Sequence, residues 1–272
     1  MTIHPSASRF VCLLAILAPL SPSMAEEVVA YEAFGAVGDG VHDDLPAIRK
    51  AHQHANARGL PVRSDPQASY HLGRKALTVV IATDTDWSTS RFTIDDSRPV
   101  EDHRRPLFEV CSLLKPVRLK IERLARDQER LDIRPDRDCY VVVRNDRVKR
   151  FIRRGLNRNS GTSQRDCFIL RRDGSIDGPI DWSYDHVSGV SARPIDDKRL
   201  LVRGGVFTTI ANRMKQEVGY NYWSRNMVVS RSNTEVEGLT HHVVGEGSAG
   251  HPYSGFINVS SCANVTLRNC VA

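Results

Sequence analysis

The sequence predicts an all-β solenoid, a right-handed parallel β-helix with a short N-terminal capping helix. Three observations carry that expectation. One helix-periodic segment near residue 50 is followed by about two hundred residues of short strands, which excludes βαβ folds because those need a helix at each crossover. A strand–turn–strand unit recurs near the end at spacings of 34 and 31 residues, the behaviour of stacked repeats. The same slot of each unit holds Gly or Asn, which reach a left-handed backbone at little cost. No unit has an apolar face it can bury alone, so the units must stack.

The elements follow in chain order. Arg9, the apolar run Val11 to Leu20 and the small residues Ser23 and Ala25 form the three parts of a secretory signal. The run is about ten residues, half of what a membrane span needs, so we expect cleavage after Ala25 and a mature chain, residues 26–272, exported to the periplasm or beyond with no membrane span. Val28 to Tyr31 reads as a short strand and Phe34 to Asp44 as a tight glycine loop. A helix follows, with Asp43 or Asp44 as N-cap, Pro46 in the first turn, an apolar face of Ala47, Ile48, Ala51 and Ala55, and Gly59 as C-cap. Strands are then expected at Leu60–Arg63, Ser69–Leu72, Leu77–Ala82, Arg91–Ile94, Leu107–Cys111, Tyr140–Val143 and Asp166–Leu170.

Leu200–Phe207, Thr234–His241 and Val265–Ala272 superpose without gaps, with Val202, Val236 and Leu267 in one apolar slot and Gly204, Gly238 and Asn269 two places on. A second phase aligns Met227–Ser232 with Phe256–Ser261, 29 residues apart. A β-sandwich is the competing architecture, but its turns come about every 8–12 residues. Residues 112–195 fit the repeat less well and are expected to be irregular early coils carrying a hairpin insertion, with regular coils over 199–272. Ala272 directly follows a strand of the third unit, so further coils, and part of a site, are expected beyond it.

Removing residues 1–25 takes one of 38 Lys+Arg and none of 32 Asp+Glu, leaving a mature charge of +5. Between Arg118 and Arg172 basic side chains outnumber acidic ones by about two to one, a field that favours a polyanionic partner. For an exported protein that means an acidic polysaccharide or a charged cell surface, not nucleic acid; a solvated strand face is the competing explanation. Five cysteines remain after cleavage, Cys111, Cys139, Cys167, Cys262 and Cys270, an odd count without framework or zinc spacing. They are expected to be mostly buried small hydrophobes.

The segment Tyr31-Glu-Ala-Phe-Gly-Ala-Val-Gly-Asp-Gly-Val-His-Asp-Asp-Leu-Pro-Ala-Ile48 closely resembles the N-terminal motif of the pectate-lyase-like superfamily. Val62 to Leu72 looks like its continuation, and the strand at Leu200–Phe207 returns to the type. The resemblance covers about a third of the mature chain. It implies a pectin-lyase-like β-helix whose first segment caps one end, and hence structural roles for Gly35, Gly38, Asp39, Gly40, Asp43 and Asp44. A rival reading makes Asp39, Asp43 and Asp44 a calcium site, although their spacing does not match an EF-hand-type loop. The group includes polysaccharide lyases and hydrolases, so the resemblance implies a polysaccharide partner.

The densest polar segment is Thr240 to Gly255, three histidines, a carboxylate and a phenol in a glycine-rich loop. Alternation places His241 inward with Leu239 and His242 outward. The catalytic candidates are therefore His242, Glu246 and His251, with Tyr253 beside them as a binding residue. Tyr220, Tyr222 and Trp223 are candidates to stack on sugar rings and Arg225 to pair with a uronate carboxylate. No metal ligands are assigned. A lyase needs a base and neutralisation of the uronate, whereas a hydrolase needs two carboxyl groups about 5–9.5 Å apart. The expected function is cleavage of an acidic glycan by one of these routes. The alternative is a non-catalytic glycan-binding or adhesin-type surface protein.

Overall fold

The computed structural model describes residues 27–150, 161–213, 223–247 and 255–271. The expected signal segment, residues 1–25, and Tyr220, Tyr222, His251 and Tyr253 lie outside them.

The chain begins with β1 (Val29–Ala30), a 3-10 turn at Glu32–Phe34, β2 (Asp39–Asp43) and α1 (Leu45–Arg58). Two full coils follow: β3 (Val62–Arg63), β4 (Ser69–Leu72) and β5 (Val79–Ile81), then β6 (Thr85–Asp86), β7 (Arg91–Asp95) and β8 (Phe108–Val110). An inserted unit carries β9 (Cys139–Arg150), β10 (Thr162–Leu170), β11 (Ile176–Asp177) and β12 (Gly189–Pro194). The coils resume with β13 (Leu200–Arg203), β14 (Val206–Ile210) and β15 (Met227–Val229). β16 (Thr234–Glu237), β17 (Thr240–Val244), β18 (Ile257–Val259) and β19 (Val265–Arg268) complete the described strands.

Every coil strand pairs in parallel with the strand one coil away, giving three sheets. The first runs β1-β3-β6-β13-β16-β19, the second β17-β14-β7-β4-β2 and the third β18-β15-β8-β5. This is an all-β parallel β-helix, and the twist of each strand makes such crossovers right-handed. The helix α1 takes the place of a third-sheet strand in the first coil and lies on β5. Its expected apolar face, Ala47, Ile48, Ala51 and Ala55, is buried, and Gly59 ends it in the left-handed conformation (φ 69°).

Inward residues of the second sheet form an aromatic ladder. Tyr70, Phe92, Phe207 and His241 stand on successive strands, in register. Phe92 stacks on Phe207 at 4.6 Å, and Trp87 packs edge-on against Phe92, Phe108 and Phe207. Each such ring removes a large apolar area from water and gains a further 0.5–1.5 kcal/mol or so from ring–ring geometry. The ladder ties the coils along the axis.

The repeat reads out as register: Val202 pairs with Val236, and Val236 with Leu267. Gly204, Gly238 and Asn269 all take positive φ (72°, 66° and 53°). The three glycine-type positions are not equivalent, however. A Cβ on Gly204 would lie 2.4 Å from the Ser88 carbonyl oxygen, whereas one on Gly238 meets nothing within 4 Å. Gly238→Ala is therefore expected to cost only the left-handed penalty, about 1–2 kcal/mol, and Gly204→Ala distinctly more. Urea unfolding of the two variants measures the difference, and equal losses would contradict the close approach.

Three expectations change. The second-phase alignment is off by one residue, since Met227 pairs with Ile257 and Val229 with Val259. Because side chains alternate, one residue decides which face is buried. Phe256 instead sits in the preceding turn and swings inward, its ring 4.2 Å from that of His241. Residues 112–195 are not irregular coils and add no rung to the prism. β8 pairs directly with β15 across them, and they form an antiparallel sheet, β11-β10-β9-β12, with its own apolar cluster. That cluster includes Val141, Val143, Phe168, Leu170, Ile180 and Tyr184. The expected hairpin is β9–β10, whose tip lies outside the described residues. Finally, of the five cysteines among the described residues, all free, only Cys139 is buried, and Cys167 is exposed.

Candidate functional site

Alternation along β4, β7, β14 and β17 turns one set of side chains into the ladder and leaves the other outside. Register places His71, Thr93, Thr208 and His242 side by side on consecutive strands, at the roughly 4.8 Å strand spacing. Asp43 precedes them, paired with His71. The two threonines and His71 are half-buried and His242 is exposed. The row thus presents hydroxyl and imidazole groups that both donate and accept hydrogen bonds.

At the N-terminal end of this row a cleft of ≈ 400 Å³ is lined by Asp43, His71, Arg74, Lys75 and Glu101. Arg74 and Lys75 form no ion pair among the described residues. Asp95, at the end of β7, accepts hydrogen bonds from the Ser97 amide (3.0 Å) and hydroxyl (2.5 Å). Partial burial opposes its ionisation, but these donors, with Arg98 and His71 nearby, hold its carboxyl below the usual range. An ionised carboxylate therefore stands beside His71.

The expected orientation of the histidine pair is found. His241 is buried, 3.0 Å from the Thr209 hydroxyl, and burial followed by the nearby His242 lowers its pKa to about 4. His242 faces out. Glu246 is exposed in the loop after β17 and shares no hydrogen bond or ion pair with His242 among the described residues. His251, Tyr253, Tyr220 and Tyr222 lie outside those residues. Trp223 is half-buried, its ring 5.3 Å from that of His103.

Arg225 is a correction. Its side chain is 2% exposed and its guanidinium donates to Asp96 at 2.5 Å and to the carbonyls of Leu72 and Gly73. It joins three successive coils at the turn between the second and third sheets, so it is not free to meet a uronate. Burial pushes the Asp96 carboxyl up to about 6 despite the Arg225 charge.

The carboxylates of the glycine loop turn to backbone donors. Asp44 accepts from the amides of Val37, Gly38 and His71, Asp43 from Leu45 and Gly73, and Asp39 from Val41 and His42. This is the arrangement of a folded cap, and no group of three or more metal-ligating side chains is found among the described residues. Sequence reasoning missed His71, Thr93, Thr208 and Asp95. The alternation of Arg91-Phe-Thr-Ile-Asp95 carries the signal for which of its residues face out, but nothing in it shows that its neighbour on the prism is β14, beyond the insertion.

No family model matches the chain, and no curated protein does. Among solved structures it is similar to PfbA, a surface adhesin of Streptococcus pneumoniae, with 14% identity, a TM-score of 0.40, and coverage of 90% of this chain and 37% of that one. It is also similar to the Gp54 tailspike of Acinetobacter baumannii bacteriophage AP22, solved in complex with A. baumannii capsular saccharide, with 10% identity, a TM-score of 0.38, and coverage of 89% of this chain and 51% of that one. The chain thus spans about a third and about half of those two chains.

Proposed function

We propose that this is an exported protein that holds an acidic polysaccharide along the outer face of its second sheet. The observation that carries the reading is the in-register row His71–Thr93–Thr208–His242, which ends in a cleft lined by Asp43, Glu101 and two cations, Arg74 and Lys75, that form no ion pair among the described residues. Hydroxyl and imidazole groups at strand spacing exchange hydrogen bonds with successive sugar hydroxyls, and Arg74 and Lys75 attract the acidic substituents. The rigid prism keeps the row straight, so little ordering entropy is lost on binding. The described helices include none long and apolar enough to cross a membrane.

A catalytic version of this reading makes the outward-facing His71, beside the Asp95 carboxylate, the group that takes the proton next to a uronate. Affinity electrophoresis of the full chain in gels containing polyuronate, or a neutral glucan as control, tests both. Retardation is expected only with polyuronate. His71→Ala combined with His242→Ala is expected to weaken it roughly thirtyfold, at about 1 kcal/mol per lost hydrogen bond. Unchanged mobility of the parent chain would remove the proposal. Assays for unsaturated products and for new reducing ends separate a lyase, a hydrolase and a binder.

A further inference from the structure

We propose that the cleft between the inserted antiparallel sheet and the solenoid is a second binding site, which takes one negatively charged sugar residue. Its ligand class rests on the acidic-polysaccharide reading above; its location does not.

The two faces of the inserted sheet differ. One buries Val141, Val143, Phe168 and Leu170 in the unit's own cluster. The other turns Tyr140, Arg144, Arg165 and Arg193 toward a cleft of ≈ 630 Å³ that the solenoid closes with Ser260 and Ser261. That volume is in the usual range for small-molecule pockets, roughly 300–1,000 Å³.

Three arginines, Arg144, Arg165 and Arg193, converge on this one cleft. Several arginines of the insertion are matched with carboxylates: Arg130 with Asp173, Arg171 with Asp138 and Asp177, and Arg137 and Arg172 with Asp197. In the cleft Arg144 has Asp146 at 3.3 Å, while Arg165 and Arg193 have no ion pair among the described residues. Register also sets Arg144 directly opposite Arg165. Like charges in that relation repel, and a bound anion between them relieves the repulsion.

The remaining lining suits a sugar more than a bare ion. Arg193 is directly opposite Tyr140, whose phenol burial pushes up to about 12, so it stays protonated. A ring lying against Tyr140 and Val142 keeps its apolar face dry, the serine hydroxyls meet its hydroxyls, and a carboxylate or sulfate ester reaches the guanidinium pair.

The test uses the full chain and isothermal titration with oligogalacturonate, a sulfated oligosaccharide, a neutral oligoglucose and inorganic sulfate. The two acidic sugars distinguish carboxylate from sulfate ester as the preferred group. Arg165→Gln with Arg193→Gln is expected to lower affinity for the preferred acidic sugar by at least roughly tenfold. The thermal midpoint should hold or rise, because two exposed like charges are removed. Added salt should weaken binding by the parent chain more than by the variant. Equal affinity of variant and parent would overturn the site, as would inorganic sulfate binding as tightly as the sugars. If the arginine variant binds normally while the His71 and His242 variant does not, this inference fails and the second-sheet reading stands. If no acidic sugar binds the parent chain, both fail.

Discussion

Arg225→Ala is expected to lower the unfolding free energy at pH 7 by about 3–5 kcal/mol, the cost of leaving a buried charge without its partner. Asp96 is 3% exposed at its side chain and would lose its only ion-pair partner among the described residues, and the Leu72 and Gly73 carbonyls would lose a donor. The loss should depend on pH. Asp96 already titrates near 6 in the fold, above its unfolded value of about 3.9. Its contribution is fully present below the unfolded pKa and declines as pH rises through 6. Without Arg225 the folded pKa moves higher still, so the variant should be closest to the parent at acidic pH and furthest from it near pH 8. Urea unfolding at pH 5 and pH 8 reads this directly. Arg225→Met combined with Asp96→Asn, which leaves no buried charge, should recover part of the loss. A shift below about 1 kcal/mol at pH 8 would mean that the pair is solvated and the three-coil staple is not real.

Mild acid is expected to destabilise the solenoid through two buried histidines. Burial lowers His52 to about 3 and His241 to about 4, against an unfolded value near 6.5. A base with a depressed folded pKa contributes stability that is present above 6.5 and is lost as pH falls toward the folded value. Between pH 7 and pH 5 each histidine should remove roughly 2 kcal/mol, and Asp96, with the opposite sign, should return about 1. The physical cause is visible at both sites. His52 is fully buried with the Tyr31 hydroxyl at 2.9 Å, itself bonded to the Trp87 indole, and its Nδ1 has no hydrogen-bond partner among the described residues. His241 lies flat on Phe256. His241→Phe keeps a ring in that slot and removes the titration, at the cost of the Thr209 hydrogen bond. Its stability difference between pH 7 and pH 5 should shrink by about 2 kcal/mol relative to the parent. If the variant shows the parent's full pH dependence, His241 is not the group responsible.

Much of the fold is legible along the chain because its determinants are local. The Gly59 cap and the apolar face of α1, the Gly204/Gly238/Asn269 slots and the inward position of His241 follow from period, turn chemistry and alternation. Other features depended on pairing between distant segments. Nothing near Tyr140 shows that β9 takes β12 as well as β10 for a neighbour, or that β8 joins β15 across the insertion. Arg225 was misread for the same reason: beside Trp223 it looks like a surface cation, and its partner Asp96 is more than a hundred residues away.

The sequence by itself determined the repeating rung, the left-handed turn positions and the opposite facing of His241 and His242, because each is a property of a few consecutive residues. Tertiary structure alone decided which cations are spent on buried carboxylates and which face a cleft, and which hydroxyls and imidazoles line up in a row. Those outcomes depend on which coils lie next to each other, and a three-sheet prism brings together side chains whose separation in sequence carries no trace of the contact.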